Sequence, residues 1–370
     1  MKLNFCVPSL FGLEGLVADE LRRLGLEHVN AENGRVLFTG TEFDLARANI
    51  NLSTGERVLI VVGSSKADTF DELFEAVRAM PWEQYIPKNG VFPIKGHSLG
   101  SKLHSIPDCQ KIVKKAIVER LKYTYNIQWC EESSEAKYQV QFAIMNDKAS
   151  LYIDTSGAGL HKRGYRPVGN AAPLRETLAA AIVKLARYRG KEIVADLFCG
   201  SGTILIEAAF AALNRAPGLH RSFEAQNWQN IDRSIWQKAF EEAKSKEYSG
   251  SYDIWGGDID PGSINIAKAC SKLAGVSEHI RFEVSEAADF ARSENGGIIM
   301  TNPPYGERVM LKKEAEQTYK HLGIAHRRLS DWKAYVLSSH AEFEREFGKT
   351  AKKKRKLYNG MIKCNLYMYY

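Results

Sequence analysis

The tetrapeptide Asn302-Pro303-Pro304-Tyr305 combines an amide, a rigid backbone bend and an aromatic ring. It follows the apolar residues 298–300, which predicts that it lies at the end of a strand. An exocyclic amine of a flat base has its lone pair delocalised into the ring, so its methylation requires acceptors for the amine protons and a surface that holds the base. Asn302 and the Pro303 carbonyl could accept these protons, and Tyr305 could hold the ring. The structural alternative is a proline-terminated strand with a packed tyrosine.

A glycine-rich segment lies upstream at residues 193–203, where an apolar strand turns through Gly200 and Gly202 into a helix. The two glycines allow a ligand to approach the backbone where any side chain would intrude. The dinucleotide-binding pattern has a further glycine where this chain has Leu205. The phosphate-loop pattern has a lysine after the second glycine, and none follows Gly202. Neither phosphate-binding pattern therefore fits.

Two more short strands lead to acidic residues. Asp258 follows the first, and in a doubly wound sheet a carboxylate at this place can bind both hydroxyls of a ribose. Asp260 instead precedes a proline, which fits a helix N-cap with proline at the first helical position. The second strand, Ile280–Val284, leads to Glu286. Because the carboxyl ends of parallel strands meet at one edge of a sheet, we expect these acids and Asn302 to line a ligand-binding edge.

Together these motifs resemble the class I S-adenosylmethionine-dependent methyltransferases. More closely, the chain resembles the THUMP-containing guanine-N2 methyltransferases of large-subunit ribosomal RNA, including the amino-terminal half of the bifunctional enzymes. The resemblance covers essentially the whole chain, and the matching stretches are residues 154–157, 160–166, 172–176, 196–209, 257–261 and 302–308. The tetrapeptide alone is shared with adenine-N6 and glutamine-N5 methyltransferases, whereas its extension Gly306-Glu307-Arg308 is more specific. Phe198 stands where the general loop pattern has glycine, and Glu286 stands where aspartate is frequent.

The resemblance implies S-adenosylmethionine as the cofactor and direct methyl transfer to guanine N2. Asn302, Pro303, Pro304 and Tyr305 are then the catalytic motif, with Tyr305 stacked on the base. The residues implied to bind the cofactor are Asp196, Phe198, Cys199, Gly200, Gly202, Thr203, Asp258, Ile259, Glu286, Ala287 and Asn302. Covalent catalysis would need a cysteine beside the proline motif, and none follows it. Cys199 is interpreted as a small packing residue facing the cofactor.

Composition is compatible with a multidomain enzyme. With 370 residues and 44% apolar content, the chain can form packed cores in two or three domains. Glu14 and Asp19 interrupt the first apolar residues and no apolar run approaches membrane-spanning length, so a cytosolic protein is expected. The six cysteines form no Cys-x-x-Cys pair. His97, His104 and Cys109 are interpreted as side chains without a metal-binding role, so no metal site is expected.

Basic residues are unevenly distributed along the chain, whose net charge is +7. Residues 95–122 hold seven basic residues and two acids, and residues 349–356 hold six basic residues and no acid. Each run is either a solvated surface or a surface that follows RNA phosphates. The residues expected to contact RNA are Lys111, Lys114, Lys115, Lys162, Arg163, Arg166, Arg308, Lys352, Lys353 and Lys354. The expected RNA is 23S rRNA or a large-subunit assembly intermediate.

The expected fold class is α/β, with a C-terminal Rossmann-like methyltransferase sheet preceded by an N-terminal ferredoxin-like plus THUMP α+β region. The expected domains are a ferredoxin-like unit at 1–53, a THUMP domain at 54–155, a linker at 156–172 and the methyltransferase domain at 173–370. The linker, rich in glycine and basic residues, is either a hinge that touches substrate or a plain loop. The chain should end in a hairpin that turns through Asn359-Gly360.

Other functions share parts of this pattern. A glutamine-N5 protein methyltransferase would have the tetrapeptide but no use for the basic N-terminal region. A non-catalytic RNA-binding module would have lost its cofactor contacts, yet both glycines, Asp258 and Asn302 are present. Guanine-N2 methylation of transfer RNA and adenine-N6 methylation of RNA remain open alternatives.

Overall fold

The computed structural model describes residues 2–166, 174–305 and 312–370. Arg308, its neighbours in the motif extension, and the end of the predicted linker lie outside these described residues. Two β-sheets organise the described part of the chain, one built from residues before 155 and the other from residues after 192.

The N-terminal region alternates short strands with amphipathic helices. In the strand Arg35–Gly40, buried and partly exposed residues alternate strictly, so one face of the strand packs on the core. The helix that follows begins with a capping box in which Thr41 and Asp44 satisfy each other's backbone N–H groups. The strands are β1 Leu3–Pro8, β2 Glu27–Glu32, β3 Arg35–Gly40, β4 Leu59–Lys66, β5 Ile94–Leu99, β6 Val140–Met145 and β7 Lys148–Asp154. The helices are α1 Glu14–Arg23, α2 Glu42–Asn51, α3 Phe70–Arg78 and α4 Ile106–Tyr125.

These strands form one continuous sheet in the order β2-β3-β1-β4-β7-β6-β5. Strands β1 and β4 pair in antiparallel fashion, with Phe5 opposite Ile60, and β4 pairs in turn with β7. The predicted boundary between residues 53 and 54 therefore falls just before the strand that joins the two expected domains. Their apolar side chains also form a single buried cluster, which includes Val7 from β1 and Val140 from β6.

The described part of the linker, residues 156–166, is hydrogen-bonded to Arg221. The Arg221 guanidinium donates to the carbonyls of Gly159 at 2.6 Å, Ala158 at 2.6 Å, Lys162 at 3.0 Å and Ser156 at 3.1 Å. One partly buried cation from the C-terminal region, the part of the chain after residue 173, thus holds the backbone of the segment, because several carbonyl groups share its donors. The two alternatives for this segment, a hinge that touches substrate and a plain loop, both stay predictions.

The C-terminal region contains a second sheet and flanking helices. Its strands are β8 Ile193–Asp196, β9 Ile254–Asp258, β10 Ile280–Val284, β11 Gly297–Thr301, β12 Trp332–Ser338, β13 Lys353–Asn359 and β14 Ile362–Tyr369. Its helices are α5 Glu176–Leu185, α6 Thr203–Leu213, α7 Arg233–Ser245, α8 Pro261–Leu273, α9 Lys312–Arg328 and α10 Phe343–Phe347. Strands β8 to β12 pair in parallel, and β14 is antiparallel to both of its neighbours.

The strand order of this sheet is β10-β9-β8-β11-β12-β14-β13. Successive strands are laid down to one side from β8 to β10, and the chain then returns to place β11 on the other side of β8. The crevice outside the carboxyl ends of β8 and β11 is therefore the place where an open parallel sheet binds its ligands. Buried apolar side chains cover both faces of the sheet, with Val194 on one face and Ala195 on the other.

The terminal hairpin differs from its prediction. Asn359 pairs with Ile362, so the turn residues are Gly360 and Met361 instead of Asn359 and Gly360. Gly360 has a φ of 63°, which glycine adopts at little cost. Residues 353–356 of the basic run form part of β13, an edge strand, and not a loop. Lysine on an edge strand discourages pairing with other chains, which gives this run a structural explanation.

An excursion after α6 joins the two regions. The backbone N–H of Gly218 donates to the Ile50 carbonyl at 2.9 Å. Phe223 and Trp236 stack with their ring centroids 5.3 Å apart and belong to the N-terminal apolar cluster. The Arg47 guanidinium lies 3.0 Å from Glu242 on α7. The C-terminal region thereby contributes side chains to the core of the N-terminal region.

Candidate cofactor and acceptor site

The structure brings the four predicted strand ends, those of β8, β9, β10 and β11, to one edge of the second sheet. The Gly200 N–H donates to Asp258 Oδ2 at 2.9 Å, and the Cys199 N–H donates to the Gly257 carbonyl at 2.9 Å. The Ser285 N–H, just after β10, donates to the Asp258 carbonyl at 3.0 Å. Asp258 is thus a shared anchor for the loops that follow β8 and β10.

The two loop glycines have different structural roles. Gly200 has a φ of +50°, and a Cβ added there would meet no atom within 4 Å, so the backbone faces open space. Gly202 has a φ of +75°, and a Cβ there would lie 3.0 Å from the Phe282 ring, so this position also needs glycine for packing. Helix α6 begins directly afterwards, and its N-cap provides no side-chain acceptor. The first N–H groups of a helix have no acceptor within the helix, and together with the helix dipole they favour a ligand with a negative or acceptor group.

Residues suited to a nucleoside flank this loop. Asp258 is partly exposed, and Ile259 presents 59% of its surface and Val284 56%. Glu286 is exposed, whereas Ala287 is buried. A carboxylate for ribose hydroxyls and exposed aliphatic side chains for a flat base fit the adenosine part of S-adenosylmethionine.

Replacing Asp258 by alanine is expected to weaken S-adenosylmethionine binding by about 10- to 100-fold, the equivalent of about 1.5–3 kcal/mol for a charged hydrogen-bond acceptor. The loss has two parts, because Asp258 also accepts from the N–H groups of Gly200 and Asp260. Calorimetric titration measures the dissociation constant. Asp289→Ala, which removes an exposed acid after β10, is the control. An unaltered constant for Asp258→Ala would remove this residue from the cofactor site.

Asp196 lies beneath the loop. Its side chain is buried, and Oδ1 accepts from the Thr301 hydroxyl at 2.5 Å and from the Phe198 N–H at 3.1 Å. Burial raises the pKa of Asp196 to about 7. Thr301 was not predicted from sequence, because an isolated threonine in an apolar strand carries no signal of its partner. Cys199 is buried as well, and burial raises the pKa of its thiol, so it is a poor nucleophile.

The acceptor motif is held by neighbouring side chains. The Tyr305 hydroxyl donates to Asn302 Oδ1, and the Tyr319 hydroxyl on α9 donates to the Pro304 carbonyl at 2.8 Å. None of the described residues donates a hydrogen bond to the Pro303 carbonyl. Tyr305 is partly buried against the apolar cluster of the sheet, and burial raises the pKa of its hydroxyl. Its role as a stacking surface stays a prediction, since part of the ring already contacts protein.

Arg163, which was predicted to contact RNA, is buried and paired inside the fold. Its side chain is 2% exposed, and its Nε lies 3.2 Å from Glu207 on α6, which is also buried. The same guanidinium donates to the carbonyls of Leu160 at 2.7 Å and Ser53 at 2.6 Å. All of these partners are internal, so Arg163 is a structural cation.

Arg166 is likewise committed to internal partners. Its Nε lies 2.6 Å from Glu176, and its Nη2 donates to the Leu174 carbonyl at 2.8 Å and to Thr203 at 2.7 Å. It therefore connects the linker to the first turn of α6 instead of presenting its charge to RNA. The sequence could not show this, because both arginines acquire their partners only on folding.

The lysines predicted to contact RNA fall into two groups. Lys114 donates to the Phe92 carbonyl at 3.1 Å, pairs with Glu132 and lies over the Phe92 ring, so its charge is largely used within the fold. Lys354 pairs with Glu344 at 2.8 Å. The other predicted lysines are exposed, and their contact with RNA stays a prediction: Lys111, Lys115, Lys162, Lys352 and Lys353.

The described residues offer neither a membrane-spanning helix nor a cluster of metal ligands. No helix among them is long and apolar enough to cross a membrane. Within the same residues, no three histidine, cysteine, aspartate or glutamate side chains gather in a way that could hold a metal ion.

The sheet order, the glycine loop and the polar strand ends define a class I S-adenosylmethionine-dependent methyltransferase. Models of three known domains match the chain: an RMKL-like methyltransferase domain at residues 163–368, an RlmL ferredoxin-like domain at 4–59 and a THUMP domain at 67–154. The chain belongs to the THUMP-containing RNA methyltransferase family of the RlmK/L type. The expected α/β fold class is thereby confirmed.

Similar proteins cover the whole chain. YpsC of Bacillus subtilis, whose name proposes an RNA methyltransferase, is 45% identical over 100% of this chain and 96% of its own length. The ribosomal RNA large subunit methyltransferase K/L of Syntrophotalea carbinolica is 34% identical over 98% of this chain and 53% of its own length. The chain thus spans about half the length of this K/L relative.

Solved structures agree on the fold, and one of them is described with SAH bound. A protein of Listeria monocytogenes described as a predicted N6-adenine-specific DNA methylase has 43% identity and a TM-score of 0.95, covering 100% of this chain and 96% of its own. SMU.472, described as a methyltransferase complexed with SAH, has 37% identity and a TM-score of 0.95, covering 100% of this chain and 98% of its own. The protein therefore uses S-adenosylmethionine, as the sequence predicted.

Proposed function

We propose that this protein methylates the exocyclic N2 of a guanine in 23S rRNA. The observation that carries the proposal is the position of Asn302. It directly follows β11, the strand that pairs with β8, and the glycine loop follows β8. This position supports the proposal, because the amide oxygen and the cofactor loop lie at the same edge of the sheet. The K/L relatives, which are named as large-subunit rRNA methyltransferases, support the choice of RNA.

S-adenosylmethionine, when bound, supplies an activated methyl group on a sulfonium. Asn302 Oδ1 and the Pro303 carbonyl accept the two hydrogens of the target amine and so direct its nitrogen toward the cofactor site. Tyr305 contacts the face or edge of the base. Its hydroxyl donates to Asn302 Oδ1 in the free protein, and the target amine replaces this donor when it binds. Such alignment of two reactants can contribute about 7–11 kcal/mol to lowering a barrier.

The target base must leave its helix to reach this edge of the sheet. Unpairing and unstacking cost a few kcal/mol, which contacts to the RNA backbone can offset. The N-terminal region supplies a surface for such contacts, since α4 carries exposed lysines. This region favours a nucleic acid over a protein glutamine as the substrate.

Nucleoside mass spectrometry of RNA from a strain that lacks the gene tests the substrate. We expect less N2-methylguanosine in purified 23S rRNA and its recovery when the wild-type gene is restored. The Asn302→Ala gene should not restore it. A loss confined to transfer RNA, or a loss of N6-methyladenosine, would refute the proposed target and favour one of the alternatives.

The RNA-binding role of α4 predicts a specific salt dependence. Replacing Lys111 and Lys115 together by glutamine should weaken RNA binding and reduce the slope of log affinity against log salt by about 1.4–1.8, since each phosphate contact contributes about 0.7–0.9. Filter binding at several salt concentrations measures this slope. Lys66→Gln with Lys148→Gln, which removes two exposed lysines paired across β4 and β7, is the control. An unaltered slope in the α4 variant would show that this helix does not contact phosphates.

A further inference from the structure

One side-chain oxygen connects the two halves of the site. Asp196 ends β8 and Thr301 ends the neighbouring strand β11, and both side chains are buried. Asp196 Oδ1 accepts from the Thr301 hydroxyl at 2.5 Å and from the Phe198 N–H at 3.1 Å. Phe198 opens the turn that contains Gly200, whereas Thr301 directly precedes Asn302. The oxygen therefore contacts the base of the cofactor loop and the base of the acceptor motif.

This contact lies between the segment that forms the cofactor loop and the segment that forms the acceptor motif. Residue-by-residue pairing of β8 with β11 extends to Ala195 opposite Ile299 and is not continued beyond that pair. Past this point Asp196 still pairs with Gly256 of β9, and Thr301 still pairs with Val336 of β12. Among the described residues, the Thr301–Asp196 bond is the side-chain hydrogen bond that joins residues 196–203 to residues 297–305.

The surroundings make the contact persistent. Thr301 is fully buried and Asp196 is 2% exposed, so water cannot replace either partner. Burial raises the pKa of Asp196, and its hydrogen bonds with Thr301 and Phe198 oppose that rise. Removing one donor therefore changes the strength of the hydrogen bond between the carboxylate and the other donor.

We propose that Thr301 and Asp196 are positioning residues for methyl transfer, and that their hydrogen bond fixes the separation of Asn302 from the cofactor loop. Thr301 touches neither reactant and acts through its neighbour in the chain, Asn302. A displacement of about 1 Å between reacting groups can cost about 100-fold in rate, so a small relaxation here is measurable. The inference rests on the proposed transfer to RNA.

The test compares Thr301→Val, which keeps the shape and removes the hydroxyl, with Thr301→Ser, which keeps the hydroxyl. Single-turnover methylation of transcribed 23S rRNA gives the transfer rate, and calorimetry gives the S-adenosylmethionine dissociation constant. We expect Thr301→Val to slow transfer by about 10- to 100-fold while the constant changes by less than about threefold. Thr301→Ser should recover most of the rate.

Two results would overturn the positioning role. One is a Thr301→Val enzyme that transfers at the wild-type rate. The other is a parallel loss of rate and cofactor affinity that serine does not rescue, which would indicate general destabilisation. An inactive wild-type enzyme in the same assay would instead refute the proposed function, so the two failures are distinguishable.

A double-mutant cycle keeps the inference testable if Thr301→Val folds poorly. Asp196→Ala and Thr301→Ala are measured singly and together for transfer rate and for thermal unfolding. If the two side chains act through one bond, the rate losses should be clearly less than additive. Additive losses would show that they act separately and would contradict the proposal.

Discussion

Asn302→Ala is expected to slow methyl transfer by about 100- to 1,000-fold, the loss typical of removing one hydrogen-bonding group that acts on the reacting centre. The S-adenosylmethionine dissociation constant should change by less than about threefold. The physical reason is that the amide oxygen acts on the amine during transfer, whereas the described cofactor loop is held by other contacts, including that between Gly200 and Asp258.

Single-turnover rates and calorimetry on the same preparations separate these two quantities. Asn295→Ala is a matched control, because Asn295 is exposed and lies just before the opposite end of β11. The control should retain both rate and affinity. If Asn302→Ala lost affinity as much as rate, the residue would be assigned to cofactor binding or to the fold, and the acceptor role would be withdrawn.

Arg163→Met is expected to lower the free energy of unfolding by about 3–5 kcal/mol, since it leaves a buried carboxylate without its partner. The partner is Glu207, whose side chain is 1% exposed. The substitution also removes donors to the carbonyls of Leu160 and Ser53. Chemical denaturation followed by tryptophan fluorescence measures the change.

Two further variants sharpen this prediction. Lys162→Met removes the neighbouring exposed cation and should leave stability nearly unchanged. Arg163→Met combined with Glu207→Leu should recover part of the loss, because no charge is then buried alone. If Arg163→Met kept full stability but lost RNA affinity with a smaller salt slope, the RNA-contact prediction for Arg163 would be reinstated.

The elements around the site were predictable because their signals are local. An apolar strand, two glycines and a helix follow one another in residues 193–213. The strands that lead to Asp258 and Asn302 were likewise predictable from short apolar runs that end in a polar residue. Parallel strands necessarily gather their carboxyl ends at one edge, so convergence followed from the pattern. The hydrogen bond from the Gly200 N–H to Asp258 shows that the ends of β8 and β9 lie side by side.

Other features depend on partners far away in the chain. The sequence did not predict β2 and β5, which are edge strands with polar or glycine-containing sequences and gain their order from neighbouring strands. It did not predict that α7 packs against α2 of the N-terminal region. It assigned Arg163 to RNA because a basic residue in a glycine-rich segment carries no sign of a buried acid on α6.

The most direct test of the account uses S-adenosylmethionine with a deuterated methyl group and unmodified 23S rRNA made by transcription. After reaction, the RNA is digested to nucleosides, and mass spectrometry locates the heavy methyl group. The account predicts heavy N2-methylguanosine with the wild-type protein and almost none with Asn302→Ala. Heavy N6-methyladenosine in the RNA, or label found only in protein glutamine when a cell lysate is offered, would contradict it.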